Sequence, residues 1–381
     1  MTKNFLFALS VLIGLTIGAG IFGIPYTISK SGLIVGLFYF FLLGGLTLTL
    51  HLFLGEIVLR TKERHRLVGY AQKYLGKKGK ILISICAILS GIGVLLAYLI
   101  LGGNFLEIIF SPFFNLKASE FSLFFWLVLS IFVFLGMKFV ALLEVFTNAS
   151  FIFIIFLIFF FSLNKFEFSN FPLFNLNHIF LPYGVILFSL FGLEAIPEAV
   201  DILKTPQEKK DLKKIMILTT IIVILVYLLF SFSVVSVTGA FTSSDALSGL
   251  VPFLGKKIIL LGALSALITL ADSFLILAIY LKNTFFYDFK ITKIVASSIS
   301  CGLPLILFLS GFQNFIQVIS FVGAFFGLIQ GILIIFLFKK AKILGDREPE
   351  YSLKVPNPFL YFLIIVLILG AISQIFYEIY R

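Results

Sequence analysis

Long apolar stretches recur from one end of the chain to the other and are separated by short polar segments. A helix crosses the hydrocarbon core of a bilayer with about 20 consecutive apolar residues. On that length the sequence predicts eleven spanning helices, near residues 5–28, 33–58, 81–110, 121–136, 139–162, 179–201, 215–239, 258–281, 292–310, 315–338 and 358–379. No polar segment between them is long enough to form a soluble domain.

The composition agrees with this pattern. Of the 381 residues, 60% are hydrophobic and only 12% are charged, which leaves too little polar surface for a soluble protein of this size. The predicted fold class is therefore an all-α, multi-pass integral protein of the cell membrane, surrounded by the lipid bilayer. The first apolar stretch starts like a signal peptide but continues to about Ile28, so we expect it to be retained rather than cleaved.

The net charge of +11 is distributed unevenly between the two sides of the membrane. With the N-terminus in the cytoplasm, 23 of the 29 lysines and arginines fall in cytoplasmic segments and six on the other side. Cytoplasmic loops of membrane proteins carry such an excess. The alternation predicts a cytoplasmic N-terminus and an external C-terminus, and it explains the basic balance without a nucleic-acid partner.

The first predicted helix contains the stretch IGAGIFGIP, residues 17–25. Proline removes a backbone donor and glycine lowers the cost of unwinding, so this stretch favours a break inside the membrane. Because unsatisfied backbone groups are costly in hydrocarbon, such a break is tolerated only against protein or a water-filled cavity. The alternative interpretation is that Gly14 and Gly18, with GxxxG spacing, form a simple helix-packing face.

The sixth predicted helix repeats this feature. GLEAIP, residues 192–197, has the frame of GIFGIP, residues 20–25: a glycine, two residues, a small residue and then Ile-Pro. Interrupted spans at matching positions point to the midplane site of a secondary transporter. We therefore divide the chain into two inverted repeats of five helices, followed by a cytoplasmic linker and an eleventh helix, with boundaries at 1–163, 164–338 and 339–381.

The chemistry of the two predicted breaks is complementary. Free amides at the start of a half-helix carry partial positive charge and suit a carboxylate, whereas unpaired carbonyls suit an ammonium group or a small cation. A site built from both matches an amino-acid zwitterion. We expect the carboxylate at the backbone of Gly18, Ala19, Gly20 and Ile21, and the amino group at the carbonyls around Phe188, Ser189, Phe191 and Gly192.

Several motifs resemble those of a known family. TIGAGIFGIPY resembles the first-span motif of the amino acid–polyamine–organocation (APC) superfamily, and LFSLFGLEAIPEA resembles its sixth span. GMKFVALLEVFTNAS, DSFLILAIYLKNTFFYDF and VISFVGAFFGLIQGILI are similar to the family's segments at spans five, eight and ten. The similarity is greatest to the amino acid/auxin permease and the aromatic and hydroxy amino acid permease branches. The resemblance implies a leucine-transporter-type (LeuT) fold and amino-acid transport by alternating access.

The same resemblance implies a cation site between spans one and eight. Carried over by position, its ligands are the carbonyls of Ile13, Thr16 and Thr269 and the side chains of Asp272 and Ser273. Asp272 departs from the family, which usually has a neutral hydroxyl residue there. Its carboxylate either takes part in coupling, by binding Na⁺ or taking up a proton, or is structural, capping a helix break or pairing with a lysine. The coupling ion, H⁺ or Na⁺, therefore stays open, and we expect no metal centre and no other cofactor.

Further acidic residues within the spans are candidates for a gate or a proton path. Glu194, Glu198 and Asp201 lie at i, i+4 and i+7, on one face of the half-helix after the second break. They either line the pathway or face water near the helix end. Glu144 is placed on the inner pathway by its position in span five, and snorkelling towards a helix end explains Glu56.

Two other classes of protein fit the sequence less well. An enzyme is disfavoured because the sequence has no HExxH and no His/Cys cluster with metal-ligand spacing, and His51 is the single histidine within a predicted span. A channel would have rings of charge or a repeated filter sequence, and neither is present. The hypothesis is a symporter for a neutral L-amino acid, with a mild preference for aromatic or large apolar ones. The alternative is an exchanger or uniporter without ion coupling. The oligomeric state is not predicted.

Overall fold

The computed structural model describes residues 2–136, 141–287 and 289–380, apart from the side chains of 141–149 and 287. Within these residues the structure is helical and contains no β-strand. The helices are α1 Lys3–Thr16, α2 Gly20–Ser31, α3 Leu33–Arg60, α4 Leu67–Phe110, α5 Ala118–Leu135, α6 Ala141–Ser162, α7 Leu181–Leu190, α8 Ala195–Ile202, α9 Pro206–Lys210, α10 Leu212–Thr238, α11 Val251–Leu254, α12 Lys256–Tyr287, α13 Lys293–Leu309, α14 Phe315–Phe321, α15 Gly327–Leu344 and α16 Asn357–Tyr380.

Among the described residues, seven helical segments are long and apolar enough to cross a bilayer, and the bent pair α1–α2 makes an eighth. The seven are α3, α4, α5, α10, α12, α16 and the joined α14–α15. The predicted spans at 139–162, 179–201 and 292–310 correspond to α6, the pair α7–α8 and α13, which are shorter or interrupted. The arrangement is that of a multi-pass membrane protein, while the count of eleven spans and their orientation stay predictions.

Both interrupted pairs lie inside the bundle, where they face each other. α1 packs against α8 and α2 packs against α7, so the first half of one pair meets the second half of the other. The two interrupted segments therefore run antiparallel. α10 packs against α1 and α2, and α3 packs against α7 and α8, so each pair is supported by one long helix.

Close backbone contact fixes α7 against the chain between α14 and α15, where a wider π-helical turn covers Val322–Phe326. A Cβ added to Gly323 would lie 2.1 Å from the Gly184 carbonyl oxygen and 2.7 Å from the Phe188 amide nitrogen. Only glycine permits so close an approach of two backbones. The half-helix that ends at the second break is thus held in place by a glycine–glycine contact.

The segment between α15 and α16 is anchored to the end of α3. The Glu56 carboxylate is fully buried and accepts hydrogen bonds from Arg60 Nε at 2.9 Å, Ser352 Oγ at 3.0 Å and the Leu353 amide at 2.7 Å. The Tyr351 hydroxyl donates to a carbonyl of α3 at 2.7 Å. The snorkelling explanation of Glu56 is therefore wrong, because protein donors hold this carboxylate inside the molecule.

Asp346 ties the start of the same segment to α4. Its carboxylate accepts hydrogen bonds from the Lys73 ammonium and from the Lys62 amide. The hydrogen bond from Lys73 lowers the pKa of Asp346, and the same bond raises the pKa of Lys73. Because the pKa of Asp346 is lowered, its ionised carboxylate stabilises this contact above a pH of about 4. Because the pKa of Lys73 is raised, its protonated amine stabilises the contact below a pH of about 10.

We therefore expect the segment 345–356 to be protected between about pH 5 and 9 and to loosen as the pH falls through the pKa of Asp346. Asp346→Asn should raise its amide exchange several-fold at pH 7, measured by hydrogen–deuterium exchange and corrected for intrinsic rates. Glu348→Gln, which alters an exposed carboxylate of the same segment, is the matched control. Equal protection of Asp346→Asn and wild type at pH 7 would show that this ion pair holds nothing in place.

Candidate functional site

The first break lies between Thr16 and Gly20. α1 ends because Ile17 adopts an extended backbone, and its amide closes the last turn on the Ile13 carbonyl at 2.9 Å. The amides of residues 18–20 donate to no described residue. A Cβ added to Gly18 would meet no atom within 4 Å, so the chain here borders open space. At the start of α2 three amides thus have no acceptor among the described residues, whereas the amide of Ile21, also predicted to be free, donates to the Gly18 carbonyl at 3.3 Å.

The second break covers residues 191–194, between α7 and α8. Side chains of other helices donate to two of its carbonyls. The Tyr227 hydroxyl of α10 lies 2.8 Å from the Ser189 carbonyl oxygen, and His51 Nε2 of α3 lies 3.0 Å from that of Phe191. Because a carbonyl only accepts, His51 donates through Nε2. The Phe188 and Gly192 carbonyls accept from the amides of Phe191 and Ala195, at 3.5 and 3.3 Å. All four carbonyls predicted for an amino group therefore already accept a hydrogen bond within the protein.

The two breaks touch each other at two points. A Cβ on Gly20 would lie 2.2 Å from Ser189 Oγ, and a Cβ on Gly192 would lie 2.6 Å from Thr16 Oγ1. The Tyr227 hydroxyl also lies 3.0 Å from the Thr16 carbonyl oxygen, so one buried side chain joins the end of α1 to the end of α7. Six of the predicted substrate-site residues, in 18–20 and at 189, 191 and 192, therefore lie at one junction.

A small cavity lies beside the first break. It joins this break to one face of α12, and its lining residues are Ile17, Gly18, Ala19, Phe22, Phe151, Ala266, Thr269, Leu270 and Ser273. The cavity therefore brings two predicted substrate residues together with two predicted ion ligands. Apart from backbone groups, its polar atoms come from Thr269 and Ser273, and the rest of the wall is apolar.

Aromatic rings form the wall of the cavity on the side of α2. The Phe22 ring lies 4.9 Å from that of Phe105, 5.4 Å from that of Phe151 and 6.1 Å from that of Phe230, measured between centroids. Edge-to-face packing of this kind is favourable and specific in geometry. By contrast, Phe188 and Phe191, predicted to flank the amino group, do not line this cavity.

The predicted cation ligands are only partly assembled. Thr269 and Ser273 line the cavity, whereas Asp272 lies on another face of α12, because successive residues of a helix point about 100° apart. Asp272 is 7% exposed and forms no hydrogen bond or salt bridge with any described residue. The carbonyls of Ile13 and Thr16 already accept hydrogen bonds from Ile17 and Tyr227.

The acidic residues around the second break have different surroundings. Glu194 is exposed, although its neighbours Leu193 and Ala195 are buried. The hydroxyl of Tyr98 forms a hydrogen bond with Ser273 and is close enough to Glu194 to interact with its charge. Glu198 forms a 2.5 Å salt bridge with Arg66. Asp201 pairs with Arg64 at 3.3 Å and with Arg66 at 3.9 Å. The two outer carboxylates therefore bind α8 to the α3–α4 linker, residues 61–66.

Glu144 lies in α6, but its side chain is outside the described part of the chain. Among the residues that the structure describes, no group of His, Cys, Asp and Glu side chains is arranged to hold a metal ion. Sequence reasoning missed Tyr227, His51 and Tyr98 as members of the site. The one signal for them was a polar side chain inside an otherwise apolar helix.

The fold as a whole resembles that of a solved transporter. Over 100% of this chain and 98% of the other, the structure is similar to the crystal structure of MhsT in complex with L-phenylalanine, with a TM-score of 0.64 and 14% sequence identity. MhsT has the LeuT fold, so the class defined here is a LeuT-fold membrane protein with two facing helix breaks.

The chain matches the family described as transmembrane amino acid transporter protein over residues 1–375, and it belongs to that family. The resemblance to the APC superfamily is thereby confirmed. A comparison with curated proteins found no match.

The contact between the breaks predicts a strict requirement for glycine. Gly20→Ala and Gly192→Ala should push α2 from α7 and α8 from α1, at a cost of about 1–3 kcal/mol, and reduce amino-acid uptake by proteoliposomes at least tenfold. Gly45→Ala is the matched control, because a Cβ there meets no atom within 4 Å. Thr16→Ala should partly rescue Gly192→Ala by removing the clashing oxygen. Normal uptake by both single variants would contradict the assignment of this junction.

The Tyr227 hydroxyl predicts a measurable effect on stability. Tyr227→Phe leaves two buried carbonyls without their donor, which should lower the free energy of unfolding by about 1–3 kcal/mol. Tyr183→Phe is the control: it also removes a buried hydroxyl, but one with a single, longer bond of 3.3 Å to Leu367. Thermal unfolding in detergent compares the two, and an equal loss would show that the junction does not depend on Tyr227.

Proposed function

We propose that this protein is a secondary active transporter that carries a neutral L-amino acid across the cell membrane by alternating access. Aromatic and large apolar side chains are preferred. The observation that carries this proposal is the junction of two antiparallel, interrupted helices, with free amides on one break and helix-end carbonyls on the other. Together these two groups of backbone atoms match the two charges of a zwitterion.

The substrate binds with its carboxylate at the amides of residues 18–20 and its ammonium group at the carbonyls of the second break. Its side chain extends into the cavity against Phe22, Phe151 and Leu270. The fold match to MhsT, crystallised with L-phenylalanine, supports an aromatic substrate.

Transport is coupled to H⁺ or Na⁺. The hydroxyls of Thr269 and Ser273 offer neutral oxygens for Na⁺, and the Asp272 carboxyl, which has no partner among the described residues, offers a place for a proton. An exchanger without ion coupling is the second candidate. Two observations favour it: Asp272 lies outside the cavity, and the carbonyls of Ile13 and Thr16 are already bonded.

We further propose eleven spans with a cytoplasmic N-terminus, an external C-terminus and two inverted repeats of five helices. The antiparallel packing of the two interrupted pairs supports this inversion. In this orientation the salt bridges between α8 and the α3–α4 linker close the cytoplasmic side. Glu198 and its partner Arg66 are 44% and 53% exposed, and exposed pairs contribute only about 0–1 kcal/mol each, so they can break in every cycle.

Uptake of labelled L-amino acids into proteoliposomes tests this function. We expect phenylalanine-like substrates to accumulate when a Na⁺ gradient or a pH gradient is imposed, and the effective gradient names the coupling ion. Equilibration with counterflow, but without accumulation, would identify an exchanger or uniporter instead. No uptake of any amino acid under either gradient would refute the substrate class.

The same assay separates the two ion sites. If the pH gradient drives uptake, Asp272→Asn should abolish accumulation and leave counterflow intact. If the Na⁺ gradient drives uptake, Ser273→Ala should raise the Na⁺ concentration for half-maximal uptake at least tenfold, whereas Asp272→Asn should change it little. Unchanged coupling in both variants would place the ion elsewhere.

A further inference from the structure

A second, larger cavity lies at the end of the bundle predicted to be cytoplasmic. Its volume is about 160 Å³, it is open to solvent, and it is bordered by the end of α3, the α3–α4 linker, α8 and the end of α9. Its charged walls are mostly basic, and the cationic side chains are Lys62, Arg64, Arg66, Lys204, Lys209 and Arg347. Against these six, Glu63 and Asp201 are the lining carboxylates.

The positive charge of this cavity is not neutralised within the described part of the protein. The arginines are paired: Arg64 and Arg66 with Asp201 and Glu198, and Arg347 with Glu350. Lysines 62, 204 and 209 form no salt bridge with the residues that the structure describes, although Lys62 lies close enough to Asp346 to interact with its charge. The Lys204 ammonium donates to the Asp201 carbonyl at 2.6 Å, and the Lys204 amide donates to the Glu208 carboxylate at 2.9 Å. Three like charges around one concave space repel each other and favour an anion between them.

We propose that this cavity binds a phosphate-bearing anion. A phosphate group carries up to two negative charges and three acceptor oxygens, which matches lysine ammonium groups and the fork of an arginine side chain. The phosphate comes either from a phospholipid headgroup of the inner leaflet or from a soluble phosphate compound. Basic pockets at the cytoplasmic ends of membrane helices bind headgroups through the same chemistry.

The position of the cavity gives the bound anion a mechanical effect. One wall is the α3–α4 linker, with Lys62, and the other is the segment after α8, with Lys204 and Lys209. A phosphate between these walls holds together the two elements that the Arg66–Glu198 pair also joins. We infer that it stabilises the closed cytoplasmic side and slows transport. This effect on transport rests on the proposed function, whereas the binding itself does not.

The binding is tested by thermal unfolding in detergent, with inorganic pyrophosphate titrated against sodium chloride of equal ionic strength. Pyrophosphate should raise the unfolding temperature of the wild type, and the variant Lys204→Gln/Lys209→Gln should bind at least tenfold more weakly. The control is Lys77→Gln/Lys78→Gln, which removes two exposed lysines of α4 that do not line the cavity and should bind like the wild type.

A second arm compares the same proteins in nanodiscs of phosphatidylcholine with and without phosphatidylglycerol. Stabilisation by phosphatidylglycerol alone identifies a headgroup site, and stabilisation by pyrophosphate alone identifies a soluble ligand. Stabilisation in neither arm, or an equal response of Lys204→Gln/Lys209→Gln and wild type, overturns the proposal. Because unfolding requires no transport, these outcomes are independent of any failure in the uptake assay.

Discussion

A backbone amide or carbonyl inside a membrane needs a partner from the protein, from water or from a ligand, and breaking a helix there leaves several without one. This protein breaks two helices and sets the breaks against each other. Three carbonyls at the junction lie within hydrogen-bond distance of the side chains of Tyr227 and His51. The amides of residues 18–20 have no acceptor among the residues that the structure describes.

The hydrogen bonds of Tyr227 that join the two breaks are individually weak. A tyrosine hydroxyl has one hydrogen, so Tyr227 cannot fully satisfy the carbonyls of both Thr16 and Ser189. Its net contribution is of the order of one ordinary hydrogen bond, about 1 kcal/mol. At the far end of α8, exposed salt bridges add a similarly small amount. The two breaks are joined by polar contacts of this size, whereas α7 is fixed by backbone packing at Gly184 and Gly323.

The local sequence was sufficient to predict the breaks, because glycine and proline act on their own backbone. The family resemblance, rather than the local sequence, pointed to Thr269 and Ser273, which line the cavity beside the first break. The partners of the breaks were beyond the reach of the local sequence, since Tyr227 and His51 are distant in sequence and lie in helices that read as ordinary apolar spans. For Asp272 the sequence showed that a charge lies within a span. It did not show which way the side chain points, because that depends on how α12 is rotated about its axis. The interpretation of Glu56 was wrong because two of its three donors, Ser352 and Leu353, are nearly 300 residues further along the chain.

That long separation bears on how the molecule is made. The ribosome releases α3 early, and Glu56 then has Arg60 as a neighbour on the same helix but no donor from Ser352 or Leu353. Those two donors are synthesised only after α15 has emerged. The Glu56 end of α3 thus stays incomplete until almost the whole chain has been synthesised. The bundle is therefore completed only by the segment before α16. A chain that stops short of residue 352 keeps the Glu56 carboxylate in its interior without the donors Ser352 and Leu353.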